Sequence, residues 1–508
     1  MDYSKKIKTP DELMKIVGQH PRKKKVILCH GVFDIVHPGH IRHLMYAKSK
    51  AHILVAGVTS DEFVIKANYR PYVPESLRAM NLAVLQFVDY VVIDNHLTPM
   101  ELIKTLQPDY YAKGYEYHAD SIPGVVEVEN YGGEVIYTPG DVVYSSSAIQ
   151  QSNLPKIALD KLHALMEGEG ITFTRLYETL QSLDSVKVHV IGDTIIDAYN
   201  YCSTTGSQVK TPTLTTRHER TDYFVGGAGI VSKHIKASGA TVFFSTVLGS
   251  ETNGFDAANF AIEDLLSNDI ILSWQKDHSR PTTVKNIFIA ENHRLLKVDR
   301  LDNRPLSMPR IKAFAEEISD TLADVVIFSD FRHGIFNKET IPVLQKAIPE
   351  KAFKAVDSQV ASRWGNILEF PNFDLAMPNE REARFALGDQ DSIVRSLATD
   401  LYQKLHCRTL ILKLGNKGCM TIRGDDSPSY FSMDSLVEHF SDGIGAGDAF
   451  LAYAAPCLFV SQNSVIATII GSVSAALACE QDGNKPIGKD MVINRLKKIE
   501  RSIGYDNG

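Results

Sequence analysis

The stretch VILCHGVFDIVHPGHIRHL, from Val26 to Leu44, decides the architecture of the first part of the chain. It begins with an apolar run typical of a buried strand and continues with helical spacing after His37-Pro38-Gly39-His40. Proline favours a first helical turn and glycine permits close approach, so the pattern predicts a helix N-terminus that faces a phosphate. His37 and His40 share one helix face, from which imidazoles can stabilise phosphate charge. From these residues alone, helix capping or a structural metal site is the more ordinary interpretation.

Working outward, short apolar runs alternate with helical stretches through the first 150 residues, which predicts β-α-β units around a parallel sheet. A second α/β series begins near Val186 with VKVHVIG and continues through TVFFSTVLG, DVVIFSD, FKAVDS and TLILKLG. Between them, Leu154 to Leu183 has helical spacing only. We therefore predict an α/β fold with two doubly wound domains, at residues 1–150 and 186–508, joined by a helical connector at 151–185.

The composition narrows the classes of partner. The 508 residues include 54 Lys plus Arg and 61 Asp plus Glu, a net charge of -7, so no basic excess indicates nucleic acid. No run approaches the roughly 18 apolar residues of a membrane span, and the start has no apolar core typical of a signal peptide. The six cysteines form no C-x-x-C pair. We expect a cytoplasmic protein without membrane or nucleic-acid partners.

A second glycine-rich turn occurs late in the chain, where Phe440 to Ala455 reads FSDGIGAGDAFLAYAA. The turn Gly445-Ala446-Gly447 leads directly into an apolar helix, so its backbone N–H groups can point at an anion. A carboxylate beside such a turn suits a general base in phosphoryl transfer, which assigns that role to Asp448. Helix capping by aspartate is the alternative interpretation.

The first segment, HGVFDIVHPGH, resembles the H-x-G-H signature of the cytidylyltransferase-like nucleotidyltransferases, which follows the first strand of a Rossmann-like sheet. Further similar motifs are Arg70-Pro71-Tyr72-Val73-Pro74, Pro108-Asp109 and the segment 144–149. The resemblance covers about residues 22–150 and implies nucleotide phosphate contacts by seven residues. They are His37, His40, Arg78, Lys113, Ser145, Ser146 and Ser147.

The late segment, DGIGAGD, resembles the signature of the ribokinase-like carbohydrate kinases of the PfkB type, and the resemblance spans about residues 186–500. It implies that Asp448 is the base and that Gly445, Ala446 and Gly447 form the anion hole. The acceptor sugar would be bound by Asp197, Gly226 and Gly227. The nucleotide and Mg²⁺ side would comprise Lys413, Gly415, Gly418, Asn379 and Glu382, with Glu382 acting on Mg²⁺ through water.

Together the halves resemble the bifunctional heptose-phosphate kinase and heptose 1-phosphate nucleotidyltransferases, with the two domains in reversed order. This resemblance implies phosphorylation of a phosphorylated heptose at the anomeric hydroxyl with ATP and Mg²⁺. It also implies transfer of a nucleoside monophosphate from ATP or CTP to a sugar 1-phosphate with release of pyrophosphate. A homodimer formed through the kinase half is expected by the same resemblance.

The chain departs from these families at several positions. His30 stands where the nucleotidyltransferases often have Asn, and Ile230 stands where the heptose kinases have Asn. The chain also differs from these families at Lys66-Ala67, at residues 114–117 and at residues 207–216. Two alternatives therefore stay open: the same chemistries on a pentose or polyol phosphate with CTP, or one half that has lost turnover and senses nucleotides.

Overall fold

The protein is described here by a computed structural model. It describes residues 3–36, 38–64, 71–114, 124–138, 155–207, 214–250, 254–291, 293–359, 366–424 and 429–504. The chain divides into two compact units, Met1–Ile157 and Ala158–Gly508. His37, Ser145, Ser146 and Ser147 lie outside the described residues.

In the described part of the first unit, five helices and five strands alternate. The helices are α1 (Pro10–Val17), α2 (Pro38–Lys50), α3 (Glu75–Ala83), α4 (Met100–Leu106) and α5 (Val125–Asn130). The strands are β1 (Val26–Gly31), β2 (Ile53–Thr59), β3 (Tyr90–Asp94), β4 (Tyr110–Gly114) and β5 (Glu134–Thr138).

These strands form a parallel sheet in the order β3-β2-β1-β4-β5. The order reverses between β1 and β4, and ligands of open α/β sheets bind at the carboxyl ends of strands at such a switch point. The motif after β1 is therefore positioned at the switch point, and the predicted doubly wound fold of the first unit is confirmed.

Eleven helices follow in the described residues from Pro155 onward, of which α6 begins three residues before the second unit. They are α6 (Pro155–Gly168), α7 (Phe173–Ser182), α8 (Ala228–Ala237), α9 (Ala257–Ser267), α10 (Met308–Asp320), α11 (Thr340–Ala347), α12 (Glu380–Leu387), α13 (Val394–Leu405), α14 (Ala446–Ser461), α15 (Ser464–Cys479) and α16 (Lys489–Gly504). The helices α6 and α7 contribute Leu162, Leu176 and Leu180 to the same hydrophobic core as Val188 and Val190. The helical stretch that follows the first unit thus packs as part of the second.

The main sheet of the second unit has the order β10-β9-β6-β13-β14-β15-β16-β17-β18. Its strands are β6 (Lys187–Gly192), β9 (Thr241–Ser250), β10 (Ile271–Pro281), β13 (Val325–Asp330), β14 (Phe353–Ser358), β15 (Leu375–Ala376), β16 (Thr409–Lys413), β17 (Cys419–Arg423) and β18 (Ser429–Met433). Pairing is parallel as far as β16 and antiparallel at the β17 and β18 edge. The predicted α/β class is confirmed for this unit as well.

A separate four-stranded sheet, in the order β12-β11-β7-β8, belongs to the second unit. Its strands are β7 (Thr194–Ser207), β8 (Leu214–Gly227), β11 (Thr283–Ala290) and β12 (His293–Arg300). This sheet was not predicted from the sequence. It carries Asp197 on β7, so it brings a candidate substrate residue to the site.

Helix α14 lies in the centre of the second unit. Its residues from Asp448 to Leu458 are buried without a break, as expected for a helix that is apolar on all sides. Among the helices of the described ranges, none is long and apolar enough to cross a membrane.

Candidate active sites

The loop that follows β1 is held by a buried aspartate. Asp34 is 5% exposed, and its Oδ1 accepts hydrogen bonds from the backbone N–H groups of Tyr72 at 2.8 Å and Val73 at 2.9 Å. The bonds tie the loop to the segment before α3. Two motifs that are separate in sequence thus meet at one edge of the sheet.

Two of the predicted phosphate contacts lie at this edge. His40 stands in the first turn of α2, where its ring packs edge-on against Phe33 at 5.3 Å. Lys113, at the end of β4, donates from Nζ to the carbonyl of His30 at 3.2 Å. Burial and the nearby Lys113 charge lower the pKa of His43 to about 4. The switch point thus combines a cation with uncharged imidazole.

A His-Asp-His cluster borders the same edge. Asp94, at the end of β3, is 2% exposed; its Oδ2 lies 3.0 Å from His30 Nε2 and its Oδ1 lies 2.8 Å from His96 Nδ1. Gly57 of the intervening strand makes room, because a Cβ there would come within 2.8 Å of the His30 ring. His30 was noted from the sequence as a departure, but Asp94 was not predicted, although its position at a strand end was an available signal.

Arg78 is fully buried in α3. Its Nε donates to the carbonyl of Val73 at 2.8 Å, its Nη1 to the carbonyl of Val32 at 2.5 Å, and its Nη2 to Asp61 Oδ1 at 2.5 Å. In this arrangement the guanidinium connects the loop after β1 with the segments around it.

In the second unit, the predicted anion turn, Gly445 to Gly447, leads into α14. Gly445 has φ +78, a left-handed conformation that glycine adopts readily. Asp448 follows in the first helical turn and is 8% exposed. Burial, and secondarily the Asp357 charge, raise the pKa of Asp448 to about 7, against the opposing effect of Lys413. A carboxylate with a pKa near neutrality is suited to proton transfer.

A buried ion pair lies beside this turn. Lys413, at the end of β16, approaches Asp357 Oδ2 to 2.5 Å. A Cβ on Gly447 would lie 3.3 Å from the Lys413 ammonium, so the cation is adjacent to the anion turn. Asp357 was not predicted as a site residue, although its position near the end of the predicted strand FKAVDS was a usable signal.

The N-x-x-E segment starts α12 and adjoins the same lysine. Asn379 and Glu382 form a reciprocal capping box, with bonds of 2.9 and 2.7 Å, and Asn379 pairs with Lys413 across an isolated parallel bridge. A cleft of about 720 Å³, large enough for a nucleotide, is lined by residues that include Asn379, Lys413 and Gly415. Gly418 forms the tight turn behind it, since a Cβ there would overlap the Met433 carbonyl at 1.9 Å.

The residues fit a magnesium ion that is held mainly by substrate phosphates. Among the described residues, no cluster of three or more His, Cys, Asp or Glu side chains could hold a metal alone. However, Asp357 Oδ1 is buried with no hydrogen-bond partner in the described part of the chain, and Glu382 is nearby. One or two carboxylates plus phosphate oxygens is the usual coordination of Mg²⁺.

The predicted acceptor residues meet at the four-stranded sheet. Asp197 is 6% exposed, and burial raises its pKa to about 6 in spite of the nearby Lys285 and Lys297 charges. Gly226 lies against it, because a Cβ on Gly226 would come within 2.2 Å of Asp197 Oδ2. Gly227, with φ +61, ends β8.

Asn484 donates from Nδ2 to Asp197 Oδ2 at 2.5 Å. No sequence signal pointed to this asparagine, because it lies in an irregular loop beyond α15.

Two family models match the chain in the predicted order. The model described as pfkB family carbohydrate kinase matches residues 186–487. The model described as Cytidylyltransferase-like matches residues 28–152. The matches confirm the prediction of a nucleotidyltransferase-type domain followed by a ribokinase-like kinase domain.

Curated relatives match the first part of the chain. The bifunctional protein HldE of Geobacter metallireducens is 42% identical over 137 residues, which is 26% of this chain and 28% of the relative. That of Campylobacter jejuni subsp. doylei is 42% identical over 126 residues, which is 24% of this chain and 27% of the relative. The matched region thus spans under a third of the length of these relatives.

Solved structures are similar to the second part in fold. The phosphofructokinase-2 of Escherichia coli in complex with substrates and products has a TM-score of 0.51 and 14% identity, covering 62% of this chain and all of that one (100%). Its complex with fructose-6-phosphate has a TM-score of 0.51 and 13% identity, covering 62% of this chain and 99% of that one. The matched kinase model spans more than half of the sequence, and the chain therefore belongs to the pfkB family of carbohydrate kinases, with a cytidylyltransferase-like domain ahead of the kinase domain.

Proposed function

We propose that the chain is a bifunctional sugar-activating enzyme. The second unit would phosphorylate a phosphorylated heptose, or a close analogue, at the anomeric hydroxyl with ATP. The first unit would transfer a nucleoside monophosphate from ATP or CTP to a sugar 1-phosphate. One observation carries the proposal: Asp448, the anion turn and Lys413 are assembled in the second unit within reach of Asp197.

In the kinase reaction, Asp448 accepts the proton of the sugar hydroxyl. The hydroxyl oxygen then bonds to the terminal phosphorus of ATP, the bond from that phosphorus to the bridging oxygen breaks, and ADP leaves. The N–H groups of the turn from Gly445 to Gly447 and the Lys413 ammonium face the charge on the transferred group. Asp197 accepts hydrogen bonds from sugar hydroxyls and orients them. Glu382 and Asp357 would hold Mg²⁺, which when bound would neutralise charge on the phosphates.

In the nucleotidyl transfer, the nucleophile is a phosphate oxygen that already carries negative charge. No base is required, and the site has only to stabilise charge and align the groups. We assign these tasks to His40 and Lys113 at the switch point, together with His37 and the Ser145 to Ser147 run. The sugar phosphate oxygen bonds to the α-phosphorus and pyrophosphate leaves.

Two observations favour a different acceptor as the second candidate. Ile230 is fully buried in α8, so the position that carries an amide in the heptose kinases offers no polar group here. In the first unit, His30 is held by Asp94 at the edge where an acceptor would lie. A pentose or polyol phosphate with CTP is therefore the alternative.

The test uses the full chain with a panel of sugar phosphates and sugar 1-phosphates, and reads ADP and pyrophosphate separately. We expect Asp448→Asn to abolish ADP formation and spare pyrophosphate release, and His40→Ala to do the reverse. Activity on heptose 7-phosphate would identify the acceptor, and activity only on pentose or polyol phosphates would favour the alternative. A unit without turnover on any substrate, but with nucleotide binding, would assign that unit a sensing role and contradict the proposal.

A further inference from the structure

Asn484 bridges two parts of the kinase site. It lies in the loop between α15 and α16 and is 5% exposed. Its Nδ2 donates to Asp197 Oδ2 at 2.5 Å. On its other side, Oδ1 lies so near Gly445 that a Cβ there would come within 2.4 Å of it. The Asn484 amide therefore reaches from the carboxylate of Asp197, the candidate sugar-binding residue, to Gly445, the first residue of the anion turn.

The orientation of this amide follows from the charge of its neighbour. Asp197 is mainly ionised at neutral pH, since its pKa is about 6, and an ionised carboxylate only accepts hydrogen bonds. Nδ2 must face Asp197, so Oδ1 must face away from it. Within the described ranges, Oδ1 is buried and has no hydrogen-bond partner. Buried polar atoms are nearly always paired in folded proteins, which indicates that a ligand supplies the missing donor.

The loop that carries Asn484 is held on both sides. Gly483 has φ +78, and a Cβ there would lie 2.7 Å from Phe224 Cζ on β8. The Ser441 hydroxyl donates to Asp482, and the N–H groups of Ser441 and Asp442 donate to the Cys479 carbonyl at 2.9 and 3.0 Å. The unpaired oxygen is thus a fixed feature of the site.

Asn484 packs closely between two glycines. Glycines flank the amide on two sides, at Gly226 and Gly445, and a side chain at either would collide with Asn484 or Asp197. Asn484 and Asp197 would present only hydrogen-bond acceptors to a ligand, so the complementary groups of the ligand are hydroxyl donors. A phosphate or carboxylate at this point would face oxygen acceptors and be repelled.

We infer that Asn484 is a specificity-determining residue of the acceptor site, whose Oδ1 accepts a hydrogen bond from the hydroxyl adjacent to the one bound by Asp197. The inference rests on the proposed kinase function and deepens it. The acceptor has two neighbouring free hydroxyls near its reacting end, and its existing phosphate points away from this pair. Asn484 thus supplies an amide to the acceptor site in a chain that carries the apolar Ile230 on α8.

The experiment compares the best acceptor with its mono-deoxy analogues. In the wild type, we expect removal of the hydroxyl that Oδ1 binds to lower kcat/KM about tenfold or more, because a buried acceptor is left unpaired. Asn484→Ala should lower kcat/KM for the full acceptor by a similar factor and abolish discrimination against that one analogue. The KM for ATP and the release of pyrophosphate should not change. Asn463→Ala, which removes a helix cap outside the site, is the matched control.

Retained discrimination in Asn484→Ala would overturn the inference, as would equal use of all deoxy analogues by the wild type. The second measurement needs no variant, so a poorly folded mutant does not remove the test. Absence of ADP formation with every sugar phosphate would instead contradict the proposed function. In that case calorimetry measures the affinity for the full sugar and for its deoxy analogues in the presence of a non-hydrolysable ATP analogue. The role of Asn484 is then decided by whether Asn484→Ala loses the discrimination between them.

Discussion

Lys413 and Asp357 form an ion pair beside the anion turn, with Nζ 2.5 Å from Oδ2 and side chains that are 14% and 4% exposed. The pair joins the ends of β16 and β14, which are 56 residues apart in sequence. It places one cation among the carboxylates of Asp357, Glu382 and Asp448, whose charges raise the pKa of Lys413 against the opposing effect of burial. The lysine is therefore held in its charged form.

The first prediction concerns this pair. Lys413→Met should lower the free energy of unfolding of the second unit by about 3–5 kcal/mol, because it leaves a buried carboxylate unpaired. The change in the free energy of unfolding is measured by urea denaturation that is monitored through hydrogen exchange of the β14 and β16 amides. The control is Lys161→Met, whose partner Asp434 is 38% exposed; we expect about 1 kcal/mol or less there. An equal loss of stability in the two variants would contradict the larger contribution that we expect from the buried pair.

The second prediction concerns the pH dependence of ADP formation. The pKa of Asp448 is raised to about 7, and only the ionised form accepts a proton. We therefore expect kcat/KM to be highest above pH 7 and to fall about tenfold per pH unit on the acid side. Asp357→Asn removes a neighbouring negative charge, so it should lower the pKa of Asp448 and move the midpoint to lower pH. A midpoint that moves upward would show that Asp357 does not act on the base in this way.

The third prediction concerns Gly445. Gly445→Ala should cost about 1–2 kcal/mol through its left-handed backbone and should also displace Asn484, which lies 2.4 Å from the added Cβ position. Gly170→Ala is the matched control, since Gly170 has φ +63 and nothing within 4 Å. We expect greater thermal destabilisation in Gly445→Ala than in Gly170→Ala, because only Gly445 contacts Asn484, and a loss of ADP formation of more than tenfold only in Gly445→Ala. Comparable activity in the two variants would mean that the contact with Asn484 has no role in turnover.

The fourth prediction concerns Arg78. Its guanidinium donates to the carbonyls of Val32 and Val73, so Arg78→Gln should destabilise the first unit by about 3 kcal/mol. Hydrogen exchange of the β1 and β2 amides measures the change, and ADP formation by the second unit should persist. If pyrophosphate release disappears while exchange is unchanged, Arg78 contacts the nucleotide phosphates, as the family resemblance implies.

Much of the fold was predictable because it is encoded locally. The alternation of apolar runs and helical spacing indicated both α/β units, and the strands at Val325–Asp330 and Phe353–Ser358 coincide with runs noted in the sequence. The four-stranded sheet was not predictable in the same way. Its strand β12 is exposed at almost every residue, so it lacks the alternating burial that marks a strand in sequence.

The sequence by itself determined the two turns that we propose bind anions, because a turn and the helix that follows it are contiguous in the chain and their glycines, histidines and aspartate can be read together. Only the tertiary structure decided which distant groups complete each site. Asn484 meets Asp197 across 287 residues, and His30 meets Asp94 across 64. Such pairs depend on strand order and on how loops leave the sheet, and no local pattern of residues specifies either.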